Sequence, residues 1–228
     1  MAISTLALND GNQVPWIAFG TGTALYQQDA QSTVQTAIAT GFTHIDGAQL
    51  YGNEDSMGAA IRASGKSRSE LFVTTKLGRL QPGQTAKTAL QVSLDKLGLE
   101  YVDLYLVHAP SLHADRLKAV WKEMEECKRG GLAKSIGVSN FGVEHLQEVL
   151  DGAEFLPAVN QVSRNATHHT GVVFDDASLP LKDRNPPVCV EVATARDRVA
   201  QRTQYHYFLI RWPFAPLSWA RRATGSCY

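Results

Sequence analysis

Hydrophobic positions over the first 161 residues follow two alternating periodicities. Short β-branched and aromatic runs predict six strands, namely WIAF (16–19), HID (44–46), LFVTT (71–75), VDLYLV (102–107), SIGV (135–138) and AVN (158–160). Between them, apolar residues spaced by three, four and seven predict five amphipathic helices, at 34–38, 57–61, 90–97, 117–124 and 143–149. Such strand and helix alternation favours a parallel sheet covered by helices.

Two α/β architectures share this alternation. A doubly wound sheet usually carries a GxGxxG turn after its first strand, but here the first strand continues into FGTGTALY, which lacks the third glycine. A (β/α)8 TIM barrel instead gathers its chemistry from the ends of many strands. The distribution of polar residues described below matches that second pattern, so the sequence predicts a barrel of this type.

The pattern changes near Gln161. Residues 1–161 contain 8 Lys and 5 Arg, whereas residues 162–228 contain 1 Lys and 8 Arg, and the hydrophobic periodicity is lost. In the second segment only VCVEVA (188–193) and YHYFLIR (205–211) predict strands, with a helix near 193–202. We therefore predict a barrel portion at 1–161 and an atypical tail at 162–228. The barrel is expected to be incomplete, with an irregular tail and two exposed sheet edges.

Composition narrows the classes of partner. The chain has 228 residues, 44% of them hydrophobic, and 22 basic residues balance 22 acidic ones, so nothing favours nucleic acid or an anionic membrane. Three widely spaced cysteines cannot form a disulfide framework and indicate a reducing compartment. The amino terminus has no basic region before an apolar run, and no later run is long enough to span a bilayer. We expect a cytoplasmic protein.

Every predicted strand ends in residues able to bind a ligand or transfer a proton. In chain order these are Gly20-Thr21, Asp46, Lys76, His108, Ser139-Asn140 and Gln161. In a parallel barrel all these ends lie on one face, around one pocket. Tyr51 follows Asp46 by five residues and can reach the same face.

These residue types suit the reduction of a carbonyl by hydride transfer. The developing oxyanion needs a proton, which Tyr51 could donate if the Lys76 ammonium lowered its pKa from about 10. Asp46 would keep Lys76 charged, and His108 would orient the carbonyl. The side chains of three further residues match the carboxamide of a nicotinamide ring, namely Ser139, Asn140 and Gln161.

Each of these residues also has a purely structural interpretation when taken alone. Asp46 could cap a helix or turn, and Lys76 could be a surface lysine. His108 could be a strand-end histidine with its hydrogen bonds satisfied, and Tyr51 could serve only in packing. Their occurrence together at successive strand ends favours the chemical interpretation, and none of them is predicted to bind a metal.

Four segments resemble signature motifs of the aldo-keto reductase family. They are GFTHIDGAQLYGNEDSMGAAI (41–61), LFVTTKL (71–77), VDLYLVHAP (102–110) and GLAKSIGVSNF (131–141). The resemblance implies a cytosolic NADPH-dependent reductase of small carbonyl substrates, whose catalytic residues are Asp46, Tyr51, Lys76 and His108. It also implies that Tyr51 and His108 contact the substrate. The same resemblance assigns cofactor contacts to Gly20, Thr21, Gly22, Asp46, Ser139, Asn140 and Gln161.

Two positions inside the motifs depart from the family pattern. Thr43 stands where arginine is common, and Ala109 stands where many members have tryptophan. Because Ala109 follows His108 directly, its small side chain changes the expected substrate pocket. The resemblance therefore does not identify the carbonyl substrate.

The tail after Gln161 lacks the later motifs of that family, including the segment that binds the adenosine 2′-phosphate. This predicts weak affinity for NADPH, unless Arg221-Arg222 substitutes for the missing segment. The codons for Val162-Ser163 can be written as the start of an intron, so a retained intron or shifted frame is one hypothesis for the tail. A non-catalytic remnant or binding protein of the same fold is the alternative function. An interaction module using the Arg-rich tail ranks last.

Overall fold

The computed structural model of the chain describes residues 4–163, 188–192 and 207–210. Its strands are β1 (Thr5–Ala7), β2 (Gln13–Pro15), β3 (Ile17–Gly20), β4 (His44–Asp46), β5 (Phe72–Leu77), β6 (Val102–Val107), β7 (Ala133–Ser139), β8 (Val159–Ser163), β9 (Val188–Val192) and β10 (Tyr207–Ile210). Its α-helices are α1 (Gln31–Ala39), α2 (Glu54–Ala63), α3 (Ala86–Leu97), α4 (Leu117–Arg129) and α5 (Val143–Leu150). Short 3₁₀ turns occupy Gln49–Tyr51, Arg68–Glu70 and Pro110–Leu112.

The sheet is a barrel in which β3 to β9 lie side by side in chain order. Neighbours within this series are parallel, and α1 to α5 separate the strands from β3 to β8. The six predicted strands and five predicted helices are all present, within a few residues of their expected limits. The prediction of a (β/α)8-type fold is therefore confirmed.

The end of the barrel departs from the regular repeat. The two predicted tail strands appear as β9 and β10, but β10 runs antiparallel to both β9 and β3. The described residues thus contain no eighth parallel strand, which agrees with the predicted incomplete barrel, but β10 bonds to both neighbours and closes the sheet, so the expectation of two exposed edges is wrong. The helix expected near 193–202 and the pair Arg221-Arg222 lie outside the described residues. Within the described ranges, no helix has the length and apolar character needed to cross a bilayer.

The central strands are buried on both faces, including their polar residues. Every residue of β5 and β6 is buried, since the helices cover the outer face and the barrel interior covers the inner one.

The helix ends follow local sequence signals. In α3, the Thr85 hydroxyl accepts a hydrogen bond from the Thr88 amide, and Gly98 ends the helix with φ of +67°.

The β1–β2 hairpin closes the amino-terminal end of the barrel. Its side chains and the adjacent loop pack with the lower barrel interior in one cluster of Leu8, Val14, Phe72, Leu104, Leu106, Ala158 and Val159. Polar contacts also secure it, since Asn12 Nδ2 donates to Ser135 Oγ at 2.9 Å and Asn9 Nδ2 donates to the Pro157 carbonyl at 3.0 Å. The sequence analysis did not predict this hairpin. Its closure leaves the carboxyl ends of the strands as the open face.

One buried histidine makes the stability of the barrel sensitive to acid. His44 in β4 is 5% exposed, and its Nε2 lies 2.8 Å from Thr74 Oγ1. Burial lowers its pKa from 6.5 to about 3. Below pH 6.5 the unfolded chain therefore binds a proton at His44, whereas the folded chain binds it only below about pH 3.

We predict that His44 causes a loss of stability as pH falls below 6.5. This difference in proton binding lowers the free energy of unfolding by about 3 kcal/mol between pH 7 and pH 4, and it has no effect at neutral and higher pH. Urea unfolding across this range is expected to give a shallower pH dependence for His44→Gln. The control His145→Gln, which removes an exposed ring, retains the original dependence because His44 is still present. Equal pH dependence for the chain and His44→Gln would contradict the assignment.

Candidate active site

Lys76 and Asp46 form a buried pair near the carboxyl ends of β5 and β4. Lys76 Nζ donates to Asp46 Oδ2 at 2.6 Å and to the Gly47 carbonyl oxygen at 3.0 Å, and the two side chains are 1% and 2% exposed. A third oxygen, the Tyr51 hydroxyl, lies 3.5 Å from Nζ. Three acceptors around one nitrogen match the three protons of an ammonium, so we treat Lys76 as charged.

The oxygen atoms around Lys76 keep its proton in place. Burial alone would lower the Lys76 pKa, but the Asp46 carboxyl and the Tyr51 oxygen outweigh burial and raise that pKa above its usual value. The site therefore holds a permanent positive charge in a position that water barely reaches. Asp46 comes from β4 and Lys76 from β5, and the two side chains meet because these strands are adjacent and parallel.

Tyr51 lies at the end of the 3₁₀ turn that follows β4. Its pKa is raised, because burial disfavours the phenolate more strongly than the Lys76 charge favours it. Lys76 does pull this pKa downward, as the sequence predicted, but the expected net lowering is wrong. The hydroxyl therefore carries its proton at neutral pH and can donate it.

His108 follows β6 and faces the Tyr51 ring. The two rings meet edge to face, with their centroids 5.5 Å apart at an interplanar angle of 85°. Burial and the nearby Lys76 charge lower the His108 pKa to about 4. The imidazole is thus neutral at physiological pH, and a neutral imidazole can donate one hydrogen bond.

The loop after β3 packs against the tyrosine. The Thr21 amide and hydroxyl both donate to the Asp46 carbonyl oxygen, at 3.0 and 3.2 Å. Gly22 lies so close to the ring that a Cβ there would come within 2.5 Å of Tyr51 Cζ. The structure thus brings this predicted loop to the site, with Thr21 bonded to the protein itself. A cofactor contact for Gly20, Thr21 and Gly22 stays a prediction.

Three predicted amide-binding residues meet at the ends of β7 and β8. Ser139 Oγ donates to the Gln161 carbonyl oxygen at 2.7 Å, and Asn140 Nδ2 donates to the His108 carbonyl oxygen and to Ser139 Oγ, each at 3.1 Å. The Gln161 side chain interacts with the Asp46 carboxyl. Donors and acceptors are therefore concentrated beside His108 and Asp46, as a carboxamide ligand would require.

Asn53 is a site residue that the sequence analysis missed. It precedes α2, where a polar residue is usually interpreted as a helix cap, but its side chain makes no cap hydrogen bond. Its Nδ2 instead donates to the carbonyl oxygens of Thr21 and Leu25, at 3.0 and 2.7 Å. The side chain thereby ties the loop after β3 to the start of α2. Its only signal in the sequence was its position two residues after Tyr51.

Comparison with known proteins identifies this arrangement. The model of the Aldo/keto reductase family matches residues 16–175, which is more than half of the chain. The chain belongs to this family. The resemblance inferred from the four motifs is therefore confirmed. The family match extends beyond Gln161, and the proposed domain boundary there stays a prediction.

Several aldo-keto reductases align with the chain at about 40% identity. An aldo-keto reductase of Mycolicibacterium vanbaalenii is 40% identical over 227 residues, covering 92% of this chain and 78% of the relative. Glyoxal reductase of Bacillus subtilis is 40% identical over 159 residues, covering 69% of this chain and 57% of the relative. Methylglyoxal reductase DkgA of Yersinia pestis is 38% identical over 176 residues, covering 72% and 63%.

Solved structures agree with the family assignment. An aldo/keto reductase from Brucella melitensis superposes with a TM-score of 0.65 at 37% identity, covering 72% of this chain and 63% of that structure. The aldose reductase of Schistosoma japonicum gives a TM-score of 0.64 at 29% identity, covering 71% and 61%. The chain thus spans less than two thirds of most of these aldo-keto reductases.

We predict that Gly22→Ala displaces the Tyr51 ring. The new methyl group would lie 2.5 Å from Cζ, so the ring must move and its hydroxyl is expected to leave the 3.5 Å contact with Lys76 Nζ. A crystal structure of the variant measures this separation directly. Gly142→Ala is the matched control, because a Cβ there meets no atom closer than 3.7 Å. An unchanged separation in Gly22→Ala would contradict the packing role of this glycine.

Proposed function

We propose that the chain is a cytoplasmic NADPH-dependent reductase that converts small aldehydes or ketones to alcohols. One observation carries the proposal: a protonated Tyr51 lies 3.5 Å from the ammonium of a fully buried lysine, beside a neutral histidine. A buried acid next to a fixed positive charge suits proton donation to a developing oxyanion. The family membership supports the same class of reaction.

NADPH, when bound, supplies the hydride that adds to the carbonyl carbon. The Tyr51 hydroxyl gives its proton to the carbonyl oxygen, which completes the alcohol. The phenolate that remains is stabilised by the Lys76 ammonium, 3.5 Å away, until a proton from water restores the hydroxyl. Asp46 keeps Lys76 charged and oriented throughout, because its 2.6 Å hydrogen bond fixes the lysine nitrogen.

His108 acts as a hydrogen-bond donor and not as the acid. Its pKa of about 4 leaves the ring neutral, so it carries no excess proton at physiological pH. A neutral N–H can still orient the carbonyl oxygen toward Tyr51, since the two rings are in edge-to-face contact. This orientation lets one oxygen atom accept from both side chains.

The residues near β7 and β8 fit the nicotinamide carboxamide chemically. An amide group presents two donors and one acceptor, and the side chains of Ser139, Asn140 and Gln161 together provide acceptors and donors for both. Their position beside His108 and Asp46 would set the ring against the carbonyl held by Tyr51. We therefore assign these three residues to cofactor binding within the proposal.

The substrate class follows from the relatives and remains part of the proposal. The glyoxal and methylglyoxal reductases among them suggest a small, reactive aldehyde or dicarbonyl. Ala109 follows His108 directly, and we expect its small side chain to leave space there without adding charge. A short polar carbonyl compound is the substrate that we would test first.

A non-catalytic binding protein is the second candidate, and the direction of β10 favours it. In the parallel part of the barrel every strand delivers its carboxyl end to the site, whereas the antiparallel β10 delivers its amino end. Residues following an eighth parallel strand are therefore not supplied by β10. A chain that binds carbonyl compounds or nucleotide without turnover would correspond to this alternative.

We predict that Tyr51→Phe lowers kcat by roughly 10²- to 10⁴-fold, because it removes the acid while keeping the ring. The measurement is NADPH oxidation at 340 nm with methylglyoxal and a panel of simple aldehydes. Tyr101→Phe is the matched control and is expected to keep full activity, because Tyr101 directly precedes β6 and so lies at the opposite end of the barrel. Full activity in Tyr51→Phe would exclude this residue as the acid.

We also predict saturable quenching of tryptophan fluorescence by NADPH. Gln161→Met, which removes the amide but keeps the length of the side chain, should weaken this binding about tenfold, the cost of one lost hydrogen bond. Gln147→Met on the exposed face of α5 serves as the control and should bind normally. A chain that shows no quenching at any NADPH concentration would favour the second candidate.

A further inference from the structure

The turn that carries Tyr51 has little stability of its own. It is a single 3₁₀ turn of three residues, Gln49–Tyr51, in which the Tyr51 amide donates to the Ala48 carbonyl oxygen at 3.0 Å and the Gly52 amide donates to the Gln49 carbonyl oxygen at 3.3 Å. Such a short turn cannot fix its own position, because two hydrogen bonds do not offset the ordering of three residues. From outside the turn, the Gln27 amide donates to the Tyr51 carbonyl oxygen at 2.7 Å and holds its main chain, whereas the contact of the Tyr51 hydroxyl with Lys76 is long, at 3.5 Å, and holds the side chain weakly.

The side chain of Gln49 connects this turn to two other elements. Its Oε1 accepts from the Gly78 amide at 2.8 Å, directly after β5. Its Nε2 donates to the Ala89 carbonyl oxygen and to Ser93 Oγ in α3, both at 3.0 Å. Both protons of the amide nitrogen and its oxygen are thus engaged, with partners at least 29 residues away in sequence.

We propose that Gln49 is a positioning residue that holds the Tyr51 hydroxyl at its distance from Lys76. The catalytic importance of this role rests on the proposed function. Gly78 lies two residues after Lys76, and Gln49 lies two residues before Tyr51. The bond between Gln49 and Gly78 therefore spans the same two chain segments as the contact between Lys76 and Tyr51. It is the shorter of the two and joins a side chain to the backbone.

A second set of contacts connects Gln49 to β5 through Ser93 and Glu54. Ser93 is fully buried and interacts with the Glu54 carboxyl as well as with Gln49. Glu54 Oε1 in turn accepts from Thr75 Oγ1 at 2.7 Å, and Thr75 directly precedes Lys76. The amide of Gln49 thus belongs to a buried network that reaches β5 on both sides of Lys76.

A general stabilising role for Gln49 makes a different prediction. If Gln49 only stabilised the fold, its loss would lower the unfolding temperature without altering how Lys76 acts on Tyr51. If it positions the tyrosine, its loss must weaken the electrostatic coupling between these two side chains, since that coupling falls with distance. The coupling is therefore the quantity to measure.

The experiment is a double-mutant cycle read at position 51. A fluorinated tyrosine is incorporated at that position, and ¹⁹F NMR follows its phenol pKa, which fluorination brings into a range where the protein is folded. In the otherwise unmodified chain, Lys76→Met should raise this pKa, because Lys76 pulls it downward. In the Gln49→Met background most of that rise should be lost. Gln91→Met, an exposed glutamine on α3, is the matched control and should retain the whole rise.

A full Lys76→Met effect in the Gln49→Met background would overturn the proposal. If Gln49→Met does not fold, Gln49→Glu and Ser93→Ala enter the same cycle, since the first keeps the acceptor for Gly78 and the second removes one partner only. With turnover, Gln49→Met should lose kcat by roughly 10²-fold at an unchanged KM for NADPH. Absence of turnover in the unmodified chain would count against the proposed function, and the NMR cycle would still decide the role of Gln49.

Discussion

The buried ion pair between Lys76 and Asp46 is the interaction on which the candidate site depends. An unpaired charge in the barrel interior would cost several kcal/mol. Lys76 can remain an ammonium there because Asp46 Oδ2 lies 2.6 Å away and the Gly47 carbonyl oxygen accepts a second hydrogen bond. That fixed charge then acts on its neighbours. It adds to the burial that keeps His108 neutral, and it partly offsets the effect of burial on the pKa of Tyr51.

The barrel explains how residues distant in sequence come to share this one charge. Parallel strands direct their carboxyl ends to the same face, so Asp46, Lys76, His108 and Gln161 converge although more than 100 residues separate the first from the last. The opposite face is filled by the β1–β2 hairpin, whose apolar side chains complete the lower core. One end of the barrel thus stabilises the fold, and the other remains available for chemistry.

Much of this could be predicted from the sequence, because the strands are buried on both faces and each ends in a polar residue. HID and VDLYLV match β4 and β6 exactly. The β1–β2 hairpin could not be found, since its strands TLA and QVP are partly exposed and contain no run of β-branched or aromatic residues. Asn53 and Gln49 were missed for another reason: they bond to main-chain atoms of distant segments, which no local pattern reveals. The net direction of the Tyr51 pKa also needed the structure, because it is set by burial against charge.

Burial raises the pKa of Tyr51 and lowers the pKa of His108, and this difference separates the roles proposed for two groups that could each donate a proton. Burial acts on both in favour of the uncharged form, but for a phenol that form carries the transferable proton, whereas for an imidazole it does not. The same buried environment therefore keeps Tyr51 protonated at neutral pH and leaves His108, with its pKa of about 4, neutral, so that only Tyr51 holds the proton that the proposed reaction requires. Lys76 adds to the effect of burial at His108, since its charge disfavours an imidazolium, but it acts against burial at Tyr51, where it lowers the pKa and would stabilise the phenolate left after the proposed proton transfer. Burial thus decides which of the two neighbouring rings holds a proton that can be transferred, and the charge of Lys76 makes that proton easier to give up.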